Sequence, residues 1–167
     1  LAPAIAFKDM ALTYDGDRPA LRDITLTIKP GEHLAVIGPS GSGKTSLLKL
    51  LLGFATPSAG ELRVDAQLLG ADLMREDLRQ QIAWIGQRTH LFRGTIASNI
   101  ALGAPDASRE AIEQAAQQAG VMTFARGLPK GLDTPLGDNA KGVSGGEAQR
   151  IAIARAFLAD RPILIMD

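Results

Sequence analysis

The stretch Gly38-Pro39-Ser40-Gly41-Ser42-Gly43-Lys44-Thr45 places glycines, a lysine and a hydroxyl at the full spacing G-x-x-x-x-G-K-[ST]. Each residue type has a physical role there. Glycines let the backbone curl so that successive N–H groups point inward at phosphate oxygens. A helix opening near Lys44 adds a partial positive charge of roughly half a unit at its N-terminus. Lys44 supplies a whole charge for β- and γ-phosphates and the Thr45 hydroxyl is a Mg²⁺ ligand; Ser46, the next residue, lies outside the motif and is a further expected nucleotide contact. A Gly-Ser turn could match such a pattern by chance. The apolar run before it and the helix formers after it are the context that separates the two.

A second candidate anion site lies at Val143-Ser144-Gly145-Gly146-Glu147, where a hydroxyl and two glycines open a helix. Taken alone, Ser-Gly-Gly before a helix is most often an N-cap. Ile163-Leu164-Ile165-Met166-Asp167 is an apolar strand ending in a carboxylate, which suits either a turn or a hard cation held through water.

The elements that must position these residues are legible from periodicity. Ile5 and Phe7, Leu12 and Tyr14, and then Ile24, Leu26 and Ile28 alternate with polar or small residues, predicting half-buried antiparallel strands. After the Pro30-Gly31 turn, His33–Ile37 is nearly continuously apolar and predicts a buried strand feeding the glycine-rich loop. Thr45–Leu52 predicts a helix closed by Gly53, Leu62 with Val64 a short strand, and Ile82–Ile85 a buried strand. Ile112, Ala115, Ala116 and Ala119 form one helical stripe opened at Asp106 or Ser108 and closed by Gly120. Residues 127–143 read as loop, residues 145–158 as helix, and Ile163–Met166 as a final strand. Strands alternating with helices around a Gly-rich turn predict an α/β fold with a mostly parallel central sheet.

The 167 residues fit one domain, and 46% apolar with 22% charged residues is an ordinary globular composition. Eighteen basic and eighteen acidic residues leave no broad positive field, so nucleic acid is not expected as a partner. Cysteine is absent, which excludes disulfides and thiolate metal sites. No apolar run approaches the roughly 18–20 residues that span a bilayer, and Ser46–Leu52 and Pro162–Met166 read as core elements. The chain opens on Leu1 and stops at Asp167 directly after an apolar run, so both ends read as cut.

The phosphate loop, the Ser-Gly-Gly helix start and the strand ending in Asp167 together resemble the ATP-binding-cassette (ABC) ATPase family, over essentially all of residues 1–167. The resemblance implies an incomplete P-loop NTPase core truncated at its C-terminus. Within it, 1–87 and 159–167 would form an N-terminal antiparallel β subdomain and the ATP-binding core, and 88–158 an inserted helical subdomain with the signature helix. ATP and Mg²⁺ are the implied ligands. Lys44, Gln87 and Asp167 are the implied catalytic residues, with Thr45, Gln87 and Asp167 at the metal. Tyr14 matches the aromatic that stacks on adenine, although a strand aromatic packed in a core would also fit. Ser144, Gly145 and Gly146 would meet the γ-phosphate held by the phosphate loop of a second nucleotide-binding domain, identical or not. Val143 and Glu147 depart from the family's Leu-Ser-Gly-Gly-Gln, and Glu147 is assigned no phosphate contact. His33 and His90 do not match the family's switch histidine, which lies beyond Asp167, as does a catalytic Glu; residues 1–167 alone are therefore expected to hydrolyse ATP very slowly.

Residues 91–100, Leu-Phe-Arg-Gly-Thr-Ile-Ala-Ser-Asn-Ile, and 134–138, Thr-Pro-Leu-Gly-Asp, resemble exporter-type members. That branch implies a transmembrane domain, fused upstream or separate, and a place on the cytoplasmic face of the bacterial inner membrane. Residues 51–54, 81–85, 128–137 and 145–150 resemble the CydD branch of bacterial thiol exporters, implying glutathione or cysteine as cargo. A soluble ABC ATPase and a nucleotide-holding half without hydrolysis are the competing expectations; six apolar spans upstream, or the identity of residue 168, would separate them.

Overall fold

Alternation near the N-terminus becomes a four-stranded sheet in the order β2-β1-β3-β4, built from Ile5–Thr13 (β1), Pro19–Ile28 (β2), Ala59–Val64 (β3) and Gln67–Leu68 (β4). All three pairings are antiparallel. The computed structural model describes residues 3–14, 18–65, 67–68, 78–137 and 142–167. They fall into two compact units, residues 1–82 and 83–167.

In the first unit, Ile5, Phe7, Met10 and Leu12 of β1 are buried, so the two alternating stretches form one strand. A register shift between Phe7 and Met10 changes the phase of burial there. Asp9 marks it, with φ of 48°, and its N–H and carboxylate are both satisfied by the Thr25 hydroxyl. The helix Lys44–Leu51 (α1) follows the phosphate-loop stretch and buries Leu50 and Leu51. Gly53, at φ of 71°, ends it as predicted. Arg79 secures the same end, donating to the carbonyls of Leu52 at 3.0 Å and Gly53 at 3.2 Å.

The second unit is organised around three helices: Ile96–Ala101 (α2), Arg109–Gln118 (α3) and, after the short helix Met122–Ala125 (α4), Gly145–Ala159 (α5). Ile96, Ile100, Ile112, Ala116, Val121 and Ile151 are central to their common core. Ser108 caps α3, and its predicted stripe is the buried face. Ile82–Ile85 (β5) pairs with Ile163–Met166 (β8). Within 127–143, a 3₁₀ turn at Gly131–Asp133 precedes Pro135–Leu136 (β7), which pairs antiparallel with Gly94–Thr95 (β6). Arg109 grips Asp133 through two bonds of 2.7 and 3.1 Å and Glu113 through one of 2.9 Å, tying that turn to α3. Asp138 of the exporter-like stretch lies outside the described residues.

One expectation is corrected. His33–Ile37 is exposed and is not a strand, with Ile37 91% exposed. An apolar run becomes a strand only when a neighbour meets its backbone groups, and among the described residues none pairs with it. Among the described residues β5 and β8, distant in the chain, lie side by side, and the pairs β1–β2, β1–β3, β3–β4 and β6–β7 are antiparallel. Pro162–Met166 is a core element on one face alone. Ile165 is buried, while Leu164 and Met166 are exposed, because a strand with one covered face alternates.

Candidate functional site

Residues 38–43 curl without regular secondary structure into the start of α1. Gly41 and Gly43 hold φ of 80° and 94°, conformations that favour glycine, so the expected need for glycine is met at those positions. At Gly43 there is also no room for a side chain. A Cβ would come within 2.7 Å of the Ala20 carbonyl oxygen and 2.8 Å of a Leu21 methyl. Gly43 is the N-cap of α1 and offers no side-chain cap, and the first turn carries no acidic residue. The leading amides of α1 therefore have no side-chain acceptor from the cap and no carboxylate beside them, which leaves the positive end of the helix available to an anion.

Lys44 folds back over this loop. Its ammonium donates to the carbonyl oxygens of Gly38 and Pro39, both at 2.9 Å. An anion in the loop would replace neutral acceptors with charged ones, which bind an ammonium more strongly. Ser40, Gly41, Ser42 and Thr45 are exposed, and Ser46 is half-buried. Tyr14 is 47% exposed, which removes the packed-core alternative. Its hydroxyl donates to Ser46 Oγ at 3.3 Å, so the aromatic candidate is attached to the helix that follows the loop.

Gln87 and Asp167 are both exposed and stand at one end of the β5–β8 pair. The Asp167 N–H donates to the Ile85 carbonyl at 3.0 Å, and Gln87 follows just beyond. Ser144 is the N-cap of α5, and Gly145 and Gly146 are its exposed first residues. Glu147, given no phosphate contact, serves the helix instead. Its carboxylate accepts the Ser144 N–H at 2.7 Å, while its own N–H donates to Ser144 Oγ at 3.3 Å. These reciprocal bonds form a capping box, and they hold the Glu147 carboxyl below its usual titration range. The pattern Ser-x-x-Glu before a helix was the available signal.

Sequence reasoning missed Asn99 and Arg155. Asn99 is 1% exposed. It accepts from the Phe92 N–H at 2.8 Å and donates to the carbonyls of Phe92 at 2.9 Å and Thr95 at 3.0 Å. Arg155 of α5 donates to the Asn99 carbonyl at 2.9 Å and to the His90 carbonyl at 3.3 and 3.4 Å. Burial lowers the Arg155 pKa from its ordinary value. These side chains fasten the segment after Gln87 to the helix that begins at Ser144, and nothing in their spacing announces it. His33 and His90 are both exposed, and the carbonyl of His90, not its ring, serves this network.

Against known families, residues 21–167 match the model described as "ABC transporter". The chain belongs to the ABC transporter family. It is 48% identical over 164 residues to an ATP-dependent lipid A-core flippase of Chromobacterium violaceum, covering 98% of this chain and 28% of that protein. It is 46% identical over 168 residues to the mycobactin import ATP-binding/permease protein IrtA of Mycolicibacterium smegmatis, covering 99% of this chain and 19% of that one. Among solved structures, a bacterial Atm1-family ABC exporter with ATP bound superposes with a TM-score of 0.93 at 37% identity, over 99% of this chain and 29% of that chain. The chain thus spans between about a fifth and a third of the length of these relatives.

The fold class is the expected one, an ABC ATPase of the P-loop type. The narrower likeness to CydD is not supported, since these relatives are named for lipid A-core flipping and mycobactin import. The stretches that suggested it have structural roles that carry no information about cargo. Gly53 closes α1, Leu132 is buried in the core of the second unit, and Glu147 caps α5.

Proposed function

We propose that this chain is the nucleotide-binding domain of an ABC exporter, which binds ATP with Mg²⁺ and hydrolyses it to move a substrate across the bacterial inner membrane. The observation that carries this is the loop 38–45: left-handed glycines, an acid-free helix start and an ammonium poised above it. The names of relatives at 48% and 37% identity support the ATP-dependent and exporter parts. A flippase and an importer match at nearly the same identity, 48% and 46%, so cargo and direction belong to other parts of such proteins.

In this account the amides of residues 41–45 and the Lys44 ammonium hold the triphosphate, Thr45 and Ser46 add hydroxyls, and Tyr14 offers the base a flat surface. Residues 1–87 with 159–167 form the ATP-binding core and 88–158 the helical part. Ser144, Gly145 and Gly146 present a second anion-seeking helix start to the nucleotide of another such domain, identical or not. A transmembrane domain, fused or separate, places the pair at the cytoplasmic face of the membrane.

No cluster of three His, Cys, Asp or Glu side chains fit to cage a metal occurs among the described residues. Mg²⁺ keeps several waters and is held by one or two protein oxygens plus substrate phosphates. Thr45 in the first unit, and in the second Asp167, through water, and Gln87, are each proposed as an oxygen donor suited to it. When bound it supplies charge neutralisation on the phosphates. The chain's own contribution is positioning and electrostatic stabilisation of the γ-phosphoryl group.

Phosphate release by the intact protein in lipid vesicles tests this. Magnesium-dependent ATP turnover is expected, falling on the order of 100-fold or more in Lys44→Ala. Equal turnover by the variant would remove Lys44, and with it the proposed role of the loop.

A further inference from the structure

Lys49 is exposed in the last turn of α1. Its ammonium lies 5.8 Å from the centroid of the Tyr14 ring. From the same helix, Ser46 Oγ accepts the Tyr14 hydroxyl at 3.3 Å. Residues spaced three apart share a helix face, so Ser46 and Lys49 form one short edge of α1 on which the tyrosine rests. The ring is nonetheless 47% exposed, leaving flat aromatic surface for a second planar group. As an acceptor from Tyr14, Ser46 keeps its own O–H proton for another partner.

These contacts have a consequence for affinity. An exposed tyrosine on a strand end would lose rotamer freedom on stacking, and that loss would subtract from binding. An ammonium within about 6 Å of an aromatic centroid is attracted to the ring, and here it holds the ring to the helix. Because α1 begins at the phosphate loop, a ring fixed to it stands in fixed register with the leading amides.

We propose that Lys49 is a positioning residue for the nucleobase: it holds Tyr14 against α1 as a preformed platform, so that base and phosphates are gripped from one helix. This rests on the nucleotide-binding reading above. Lys49 touches no phosphate in this scheme and acts through the ring alone.

The test is calorimetric titration of the intact protein with MgATP and, separately, with magnesium tripolyphosphate, which has phosphates and no base. Lys49→Met keeps most of the unbranched stem of this exposed side chain and removes its charge; Lys49→Arg keeps a cation that can also sit over a ring. Lys49→Met is expected to weaken ATP binding about two- to fivefold and to leave tripolyphosphate binding unchanged, with Lys49→Arg close to wild type. Equal weakening of both ligands would assign Lys49 a general electrostatic or structural part and overturn the proposal, as would no change in either. Uptake of ATP by wild type but not by Lys44→Ala, with Lys49→Met indifferent, would sink this inference and leave the nucleotide reading standing. Failure of wild type to take up either ligand would sink both.

Discussion

Ser144 and Glu147 satisfy each other's backbone amides at the start of α5. The Glu147 carboxyl is held below its ordinary pKa, first by the Ser144 amide. A folded pKa below the unfolded one means that this stabilisation is present above the unfolded value, about 4.3 for Glu. It is then lost as pH falls through the folded value. Thermal denaturation followed from neutral to acid pH should therefore show a shallower acid limb in Glu147→Gln than in wild type. Superimposable acid limbs would mean that the bond contributes nothing. Ser144→Ala should lower stability by about 1 kcal/mol at neutral pH, read as a shift in denaturant midpoint; no shift would contradict the cap. At this scale the sequence was informative wherever a local rule governs, as at Gly43, Gly53 and Ser144. It was silent on Lys49, whose partner Tyr14 is brought to it only by folding.

Helix α2 and helix α5 are joined by a polar connection inside an apolar core. Asn99 gives both of its amide hydrogens to carbonyls of residues 92 and 95, and Arg155 reaches the Asn99 and His90 carbonyls from α5. Gly103 lies against this junction, where a Cβ would be driven into the backbone carbonyl of Arg155. Removing the Asn99 side chain leaves part-buried backbone groups of residues 92 and 95 without their partner, so Asn99→Ala should cost about 2 kcal/mol in chemical denaturation. A loss below about 0.5 kcal/mol would mean that water or relaxation replaces the amide. Elements governed by period were readable in advance: the alternating β2, the stripe of α3, and α5 with its glycine start. Residues 96–101 were not, because a helix of that length has too few turns to display a period, and an asparagine at its centre argues against one. The apolar run 33–37 failed in the opposite sense: its composition suited a strand, but composition does not supply a neighbour.

At the scale of the whole molecule, the strand before Asp167 and the family were legible in the sequence, because the short motifs at 38–45, 143–147 and 163–167 that carry them are each read from residues close together in the chain. Cargo was not legible. The likeness to thiol exporters rested on residues 51–54, 81–85, 128–137 and 145–150, in which Gly53 and Glu147 serve helix ends and Leu132 a core, and the relatives compared are named for other cargoes. What remains common to all of them is an ATP-binding part, and the loop 38–45 is where this chain would exercise it. The most direct measurement is calorimetric titration of MgATP into the intact, folded protein beside its Lys44→Ala variant. Saturable uptake by the wild type that is lost or weakened at least about tenfold in the variant, the equivalent of one charge-assisted contact, is the predicted result. No uptake by the wild type, or equal uptake by both, would contradict the account.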